Sequence, residues 1–236
     1  MNNVAVILSG GKGTRLYPYT VSLPKPLLPV GDKPILEIII KQLKEARFSK
    51  VILAVNHQAD IIMSYFGDGD KFGLDIAYSL ENTPLGTMAP LKSLKALPEQ
   101  FLVMNGDVLT DLNYEEFFEG HKQSGADFTV SACKTTQKSQ FGVIDIDATN
   151  QVIGFQEKPE INLIVSMGIY GMGANALSLI PENKPFGFDD LMRVGLAGNL
   201  VIKASLHNGY WRDLGTPEDY QKANDEINLQ GVSKLL

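Results

Sequence analysis

Residues Val4 to Leu16 read VAVILSGGKGTRL, an apolar run of strand length that ends at once in a loop holding Gly10, Gly11 and Gly13 beside Lys12, Thr14 and Arg15. The apolar run predicts a buried strand, and the glycines predict a tight turn directly after it. In an open parallel sheet, ligands sit at the carboxyl ends of the strands, where a glycine-rich turn lets backbone N–H groups approach phosphate oxygens. The spacing is neither that of a P-loop nor that of the dinucleotide fingerprint, because position 16 is leucine. On the glycines alone, a different phosphate cradle and a plain turn both remain open.

Outward from this stretch, strands and helices alternate. Ile35, Ile38, Ile39, Leu43 and Ala46 fall at helical spacing and predict a helix over Ile35–Ala46. Short runs at Val51–Val55, Asp75–Ser79 and Phe101–Met104 predict further strands, with helices at Ala59–Tyr65 and Met88–Ala96. Asp68–Asp70 lie in the turn-rich FGDGDKFG and lack the bidentate glutamate of a calcium loop, so they read as a turn. After Asp127 the strand candidates Phe128–Cys133, Gly142–Asp147 and Val152–Glu157 follow one another between turns, predicting a mixed or antiparallel extension. Thr216 as N-cap, Pro217 and Asp219 announce a last helix. The expected fold class is α/β: a Rossmann-like, mixed, mostly parallel central sheet flanked by helices, in one domain over 1–236.

Composition excludes several classes. The 236 residues are 44% hydrophobic and 20% charged, enough for a substantial globular core. A formal net charge of -6 argues against a nucleic-acid binder, and an acidic chain that handles phosphates must gather its cations locally or recruit a divalent metal. No apolar run is long enough for a membrane span, and Met1-Asn2-Asn3 does not open a secretory leader, so neither membrane nor export is expected. The single cysteine, Cys133, and three scattered histidines without metal spacing point to the cytoplasm. Cys133 reads as a small buried apolar residue and His57 as a turn or cap residue, while His121 and His207 lack evident partners.

The continuation GGKGTRLYPYTVSLPKPLLPVGDKPILE resembles the signature G-G-x-G-T-R-L-x-P-x-T-x-x-x-P-K-P of the sugar-1-phosphate nucleotidyltransferases, or nucleotide-sugar pyrophosphorylases. Every specified position is present. PLGT at Pro84–Thr87, NGD at Asn105–Asp107, FGV at Phe141–Val143, EKP at Glu157–Pro159 and WRDLGTPEDY from Trp211 extend the resemblance over essentially the whole chain. It implies a GT-A-like nucleotidyltransferase fold and a reaction in which a sugar 1-phosphate attacks the α-phosphorus of a nucleoside triphosphate, releasing pyrophosphate.

Both reactants are anions, and two like charges about 4 Å apart repel by roughly 1 kcal/mol in water and several-fold more in a partly desolvated site. Positioning and charge neutralisation are therefore the main tasks. The attacking phosphate monoester, with a second pKa near 6, is already largely ionised, so no general base is required. By resemblance, Leu8, Ser9, Gly10, Gly11, Gly13 and Thr14, together with Pro84, Gly86 and Thr87, hold the nucleotide. Arg15 and Lys25 are the catalytic cations, suited respectively to spread and to point contacts with phosphate. Asp107 and Asp213 are the implied ligands of Mg²⁺, which takes carboxylates, phosphate oxygens and water.

On the sugar side the resemblance assigns Asn105, Gly142, Glu157 and Lys158. Relatives usually carry asparagine where this chain has Ser166, so the sugar contact there is expected to be shifted, water-mediated or absent. LENTPLGTMAPL is similar to the base-reading loop of mannose- or heptose-1-phosphate guanylyltransferases, favouring GTP, although Met88-Ala89 replaces their frequent Ala-Gly. Uridylyl-, cytidylyl- and thymidylyltransferases remain alternatives, as does a silent nucleotide-sugar-binding regulatory subunit. A metal-dependent glycosyltransferase would not explain the GTRL and PKP constellation. With the sequence ending at GVSKLL, no left-handed β-helix domain is expected; apolar residues of the last helix offer a possible homodimer contact.

Overall fold

The computed structural model describes residues 3–81 and 83–230. The GVSKLL segment lies outside them. Strands and helices follow in the order β1 (Asn3–Ser9), β2 (Pro29–Val30), β3 (Lys33–Pro34), α1 (Ile35–Glu45), β4 (Phe48–Val55), α2 (Ala59–Phe66), β5 (Asp75–Leu80), α3 (Pro90–Ser93), β6 (Gln100–Asn105), β7 (Val108–Thr110) and α4 (Tyr114–Ser124). The second half adds β8 (Phe128–Lys138), β9 (Val143–Ile146), β10 (Val152–Gln156), β11 (Glu160–Gly173), α5 (Ala174–Ser178), α6 (Phe188–Ala197), β12 (Ile202–His207), β13 (Trp211–Asp213) and α7 (Pro217–Gln230).

The main sheet has seven strands in the order β12-β8-β11-β6-β1-β4-β5. β6, β1, β4 and β5 run parallel, and β11 enters antiparallel between β6 and β8. The expected mixed, mostly parallel sheet is thus present. Along β1 the side chains alternate: Ala5 and Ile7 join one apolar cluster with α1, α2, α4 and α7, while Val4 and Val6 join a second with α3, α5 and α6. The sheet therefore has helices on both faces. From β1 the chain moves outward through β4 to β5, then crosses back to place β6 on the other side of β1. That reversal opens a crevice between the carboxyl ends of β1 and β6.

Among the described residues, three smaller sheets stand apart from the main one. β9 and β10 form a two-stranded hairpin, closed at its base by Ser139 N–H donating to the Pro159 carbonyl at 3.0 Å. β7 pairs with β13, tying the chain before α4 to the chain before α7, and β2 pairs with β3.

The helix expected over Met88–Ala96 is only Pro90–Ser93. The N–H groups of Met88 and Ala89 go instead to the Phe186 carbonyl, both at 3.1 Å, and Leu94 is already extended. Met88 and Ala89 are core residues here, packed in the second apolar cluster. The cap of α7 forms as expected, with Asp219 N–H donating to Thr216 Oγ1 at 3.2 Å. Among its described side chains, Tyr220, Ala223 and Ile227 are buried in the main cluster. No helix among the described residues is long and apolar enough to cross a membrane.

Candidate active site

A cavity of about 440 Å³ lies in the crevice at the end of β1. Its first wall is the glycine loop. Gly13 adopts φ 63°, and a Cβ there would sit 2.8 Å from the Thr20 methyl, so both backbone and packing select glycine. Its carbonyl accepts from Leu16 N–H at 2.9 Å and from Thr20 Oγ1 at 2.9 Å, which closes the 3₁₀ turn Thr14–Leu16. Leu16 is thereby driven into the core, while Gly10, Gly11, Gly13, Thr14 and Arg15 line the cavity with Leu8 and Ser9.

The opposite wall comes from the end of β6. Asn105 pairs in register with Leu8, and Gly106 N–H donates to the Leu8 carbonyl at 3.0 Å, which sets Asp107 at the cavity edge. Asp213 arrives from far along the chain: β13 pairs with β7 through Asp213 and Val108, and Leu214 N–H donates to the Asp107 carbonyl at 3.0 Å. Lys25, at the start of the 3₁₀ turn Lys25–Leu27, forms an ion pair with Asp107 Oδ2. The guanidinium of Arg15 lies over Gly215, where a Cβ would be 3.5 Å from it and equally 3.5 Å from the Asp213 carboxylate. Two cations and two acids expected from the sequence are therefore gathered in one cavity with Pro84, Gly86 and Thr87.

The electrostatics of the acids differ. Partial desolvation at the cavity wall, and then the Asp107 charge, push the Asp213 carboxyl above its ordinary value, while Lys25 and Arg15 pull it back. Asp107 Oδ1 is buried and has no hydrogen-bond partner. An ionised oxygen buried without a donor is costly, and a hard cation satisfies it. Among the described residues no group of three or more His, Cys, Asp or Glu side chains converges. A Mg²⁺ site needs only one or two carboxylates when phosphates supply the remaining oxygens, so Asp107 and Asp213 fit that ion.

The sugar-side residues separate into two places. Ser166 and Gly168 sit where β11 slips register against β8. Gly168 has φ 76°, and a Cβ there would fall 2.7 Å from Asn105 Nδ2, so this stretch abuts the cavity through Asn105. Ser166 Oγ accepts from Gly168 N–H and meets the Tyr170 hydroxyl, each at 3.3 Å, and the Met167 carbonyl accepts from Trp211 Nε1 at 3.0 Å. Gly142, Glu157 and Lys158 belong to the β9–β10 hairpin, outside the cavity wall. A Cβ on Gly142 would lie 3.2 Å from Glu157 Oε2, so those two share a face. A second cavity of about 640 Å³ opens beyond Asp213, between Cys133–Thr135 of β8 and the His207–Arg212 turn.

Glu81 was not singled out by sequence, yet it lines the first cavity. Asn56 holds its backbone carbonyl at 2.8 Å, and partial burial alone raises its carboxyl. Its position one residue past β5, at the carboxyl end of a parallel strand, is the signal that could have found it. His121 Nδ1 meets Thr129 Oγ1 at 2.8 Å in the core, His207 pairs with Asp111 at 2.8 Å, and Cys133 is buried.

A crevice at the topological switch point, with two cations set beside two acids, defines an α/β protein with a charged site at the carboxyl ends of its strands. Residues 4–230 match the family model described as Nucleotidyl transferase, and the chain belongs to that family. It is 35% identical over 225 residues to the probable mannose-1-phosphate guanylyltransferase 1 of Oryza sativa subsp. japonica, covering 92% of this chain and 62% of that one. It is 32% identical over 235 residues to the mannose-1-phosphate guanylyltransferase of Mycobacterium tuberculosis, covering 97% and 65%. The chain thus spans 62% to 65% of the length of these relatives. Among solved structures, HddC from Yersinia pseudotuberculosis superimposes with a TM-score of 0.75 at 29% identity, covering 95% of this chain and 99% of that one. HddC complexed with GMP-PN gives 0.72 at 28% identity over 95% and 99%. A putative glucose-1-phosphate thymidylyltransferase from Bacillus anthracis gives 0.74 at 25% identity over 94% and 93%.

Proposed function

We propose that the chain is a Mg²⁺-dependent sugar-1-phosphate nucleotidyltransferase that takes GTP and mannose or heptose 1-phosphate. The observation that carries this reading is the meeting of Asp107, Asp213, Lys25 and Arg15 in the glycine-walled cavity. Its mannose-1-phosphate guanylyltransferase relatives and the GMP-PN complex of a structural neighbour support the choice of nucleotide.

In this reading the glycine loop and Thr14 hold the triphosphate, and Arg15 draws the pyrophosphate charge away as it leaves. An oxygen of the sugar phosphate bonds to the α-phosphorus while the bond from that phosphorus to the β-phosphate bridge breaks. Lys25 exchanges its Asp107 partner for the reacting phosphates. Mg²⁺ held by Asp107 and Asp213 supplies charge neutralisation between the two anions. Glu81 provides the base preference: guanine presents adjacent N1–H and N2–H donors that one carboxylate accepts together, whereas uracil and thymine flank their single N–H with carbonyl oxygens. Gly142, Glu157 and Lys158 grip the sugar phosphate from the hairpin, and Ser166, already engaged with Tyr170, leaves more room there than asparagine would.

The test is pyrophosphate release by the purified protein with Mg²⁺, across five nucleoside triphosphates and a panel of hexose, heptose and amino-sugar 1-phosphates. A signal confined to GTP with a mannose-type sugar is the expected result. Silence across the panel with nucleotide binding intact would favour the regulatory alternative.

A further inference from the structure

Asp213 ends a strand that has little behind it. β13 is three residues long and, among the described residues, pairs with β7 alone. It backs onto the second cavity of about 640 Å³, which Arg212, Asp213, Asp219 and Glu226 line. A strand with one neighbour and space behind it is not fixed by close packing, so side-chain contacts set its tilt. Successive side chains of a strand leave on opposite faces. Trp211 and Asp213 take the front: the Trp211 indole N–H donates to the Met167 carbonyl of β11 at 3.0 Å, and Asp213 lines the first cavity. Arg212 takes the back and meets α7. Its Nε donates to Glu226 Oε2 at 3.0 Å and its Nη2 donates to Glu226 Oε1, two parallel bonds from one planar fork. Glu226 rides on a helix sealed to the core by Ala223 and Ile227 and tied at Asn224, whose Oδ1 accepts from Gly31 N–H at 3.1 Å.

We infer that Arg212 and Glu226 act together as positioning residues for Asp213, fixing the roll of β13 and with it the stand of the Asp213 carboxylate beside Asp107. Neither residue lines the first cavity, so both act through Asp213. The bonds from Leu214 N–H to the Asp107 carbonyl and from Trp211 to Met167 hold the front of the strand. Without a tether behind, repulsion between the two acids turns the strand toward the open cavity. The inference rests on the proposed Mg²⁺ site. Partners that orient a metal-binding carboxylate are worth about 10- to 100-fold in metal affinity, whereas an ordinary surface ion pair would leave metal dependence untouched.

Pyrophosphate release against Mg²⁺ concentration, at saturating GTP and mannose 1-phosphate, tests the pair. Glu226→Gln keeps the shape and removes the charge, and should raise half-saturating Mg²⁺ about 10-fold while KM for GTP holds. An unmoved half-saturation overturns the inference. Arg212→Lys keeps the charge and loses the fork, so the same rise is expected; a normal Mg²⁺ response there overturns the inference, and it decides should Glu226→Gln fail to fold. With both changes together the rise should match that of either alone, and a product of the two rises would show residues acting apart. Lys122→Met, beside Asn3 at the far end of β1, controls for general loosening. Its Mg²⁺ dependence should stay unaltered, and a matching rise would sink the pair. Binding of Mn²⁺ alone to the nucleotide-free chain, followed by electron paramagnetic resonance, separates the inference from the reaction and decides if pyrophosphate release is silent. Weaker binding in Glu226→Gln by a similar factor supports the pair; equal binding overturns it and spares the metal site. An unaltered chain that neither binds Mn²⁺ nor needs Mg²⁺ removes the site and the inference with it.

Discussion

Asp213 shows how a single carboxylate serves activity against stability. Its carboxyl is raised, first by partial burial and then by Asp107, so the charged form is disfavoured in the folded chain. Stability is greatest where the group is protonated, below its ordinary value of 3.8, and is lost as pH rises through the higher folded value. Asp213→Asn should therefore melt somewhat higher than the unaltered, metal-free protein at neutral pH, with the gain vanishing in strong acid. Solvent at the cavity mouth keeps that gain small. Pyrophosphate release by the same variant should fall at least ~100-fold, the scale of losing a preorganised charge from a phosphoryl-transfer site. Lys25→Ala should lose a similar factor while retaining its circular dichroism. Glu81→Gln is expected to cut kcat/KM for GTP by ~10-fold or more and to narrow its lead over UTP, because an amide offers one acceptor where guanine needs two.

At the scale of elements, short local signals decide where the site is held. Gly13→Ala meets both a φ of 63° and the Thr20 methyl, so thermal unfolding should register a loss of roughly 1–2 kcal/mol. KM for the nucleotide should rise with it. Thr216→Ala removes the acceptor for Asp219 N–H and should cost about 1 kcal/mol in the same assay. These devices were legible in sequence, as were β1, α1 and β4, whose periodicity or apolar runs are uninterrupted. α4 escaped notice even though Asn113 caps it through Glu116 N–H at 3.1 Å and Gly125 ends it at φ 66°. Its first turn is acidic and its apolar positions are few. β11 was missed because glycines and polar residues break any alternation across EINLIVSMGIYGMG. Its long pairing with β8 supplies what local propensity lacks. The cluster of Arg15, Lys25, Asp107 and Asp213 was readable as motifs, whereas Glu81 lay inside the LENTPLGTMAPL segment and stands out only by its place at the end of β5.

For the whole molecule, the core imposes its own pH limit. His121 is buried against Phe118 and Thr129, and burial, followed by Lys122, lowers its pKa from the usual 6.5. The unfolded chain takes up a proton near 6.5 and the folded chain only at lower pH, so stability falls as pH drops from 6.5 through the folded value. Chemical unfolding between about pH 7.5 and 5.5 should show that loss, and His121→Asn should flatten this part of the curve.

The hairpin leaves and rejoins the sheet at hydrogen-bonded neighbours, Ser139 and Pro159. An excursion with such closely spaced ends can be exchanged for one of another length or sequence without shifting a strand of the sheet beneath it. Change confined to that one loop is thereby uncoupled from the crevice between β1 and β6.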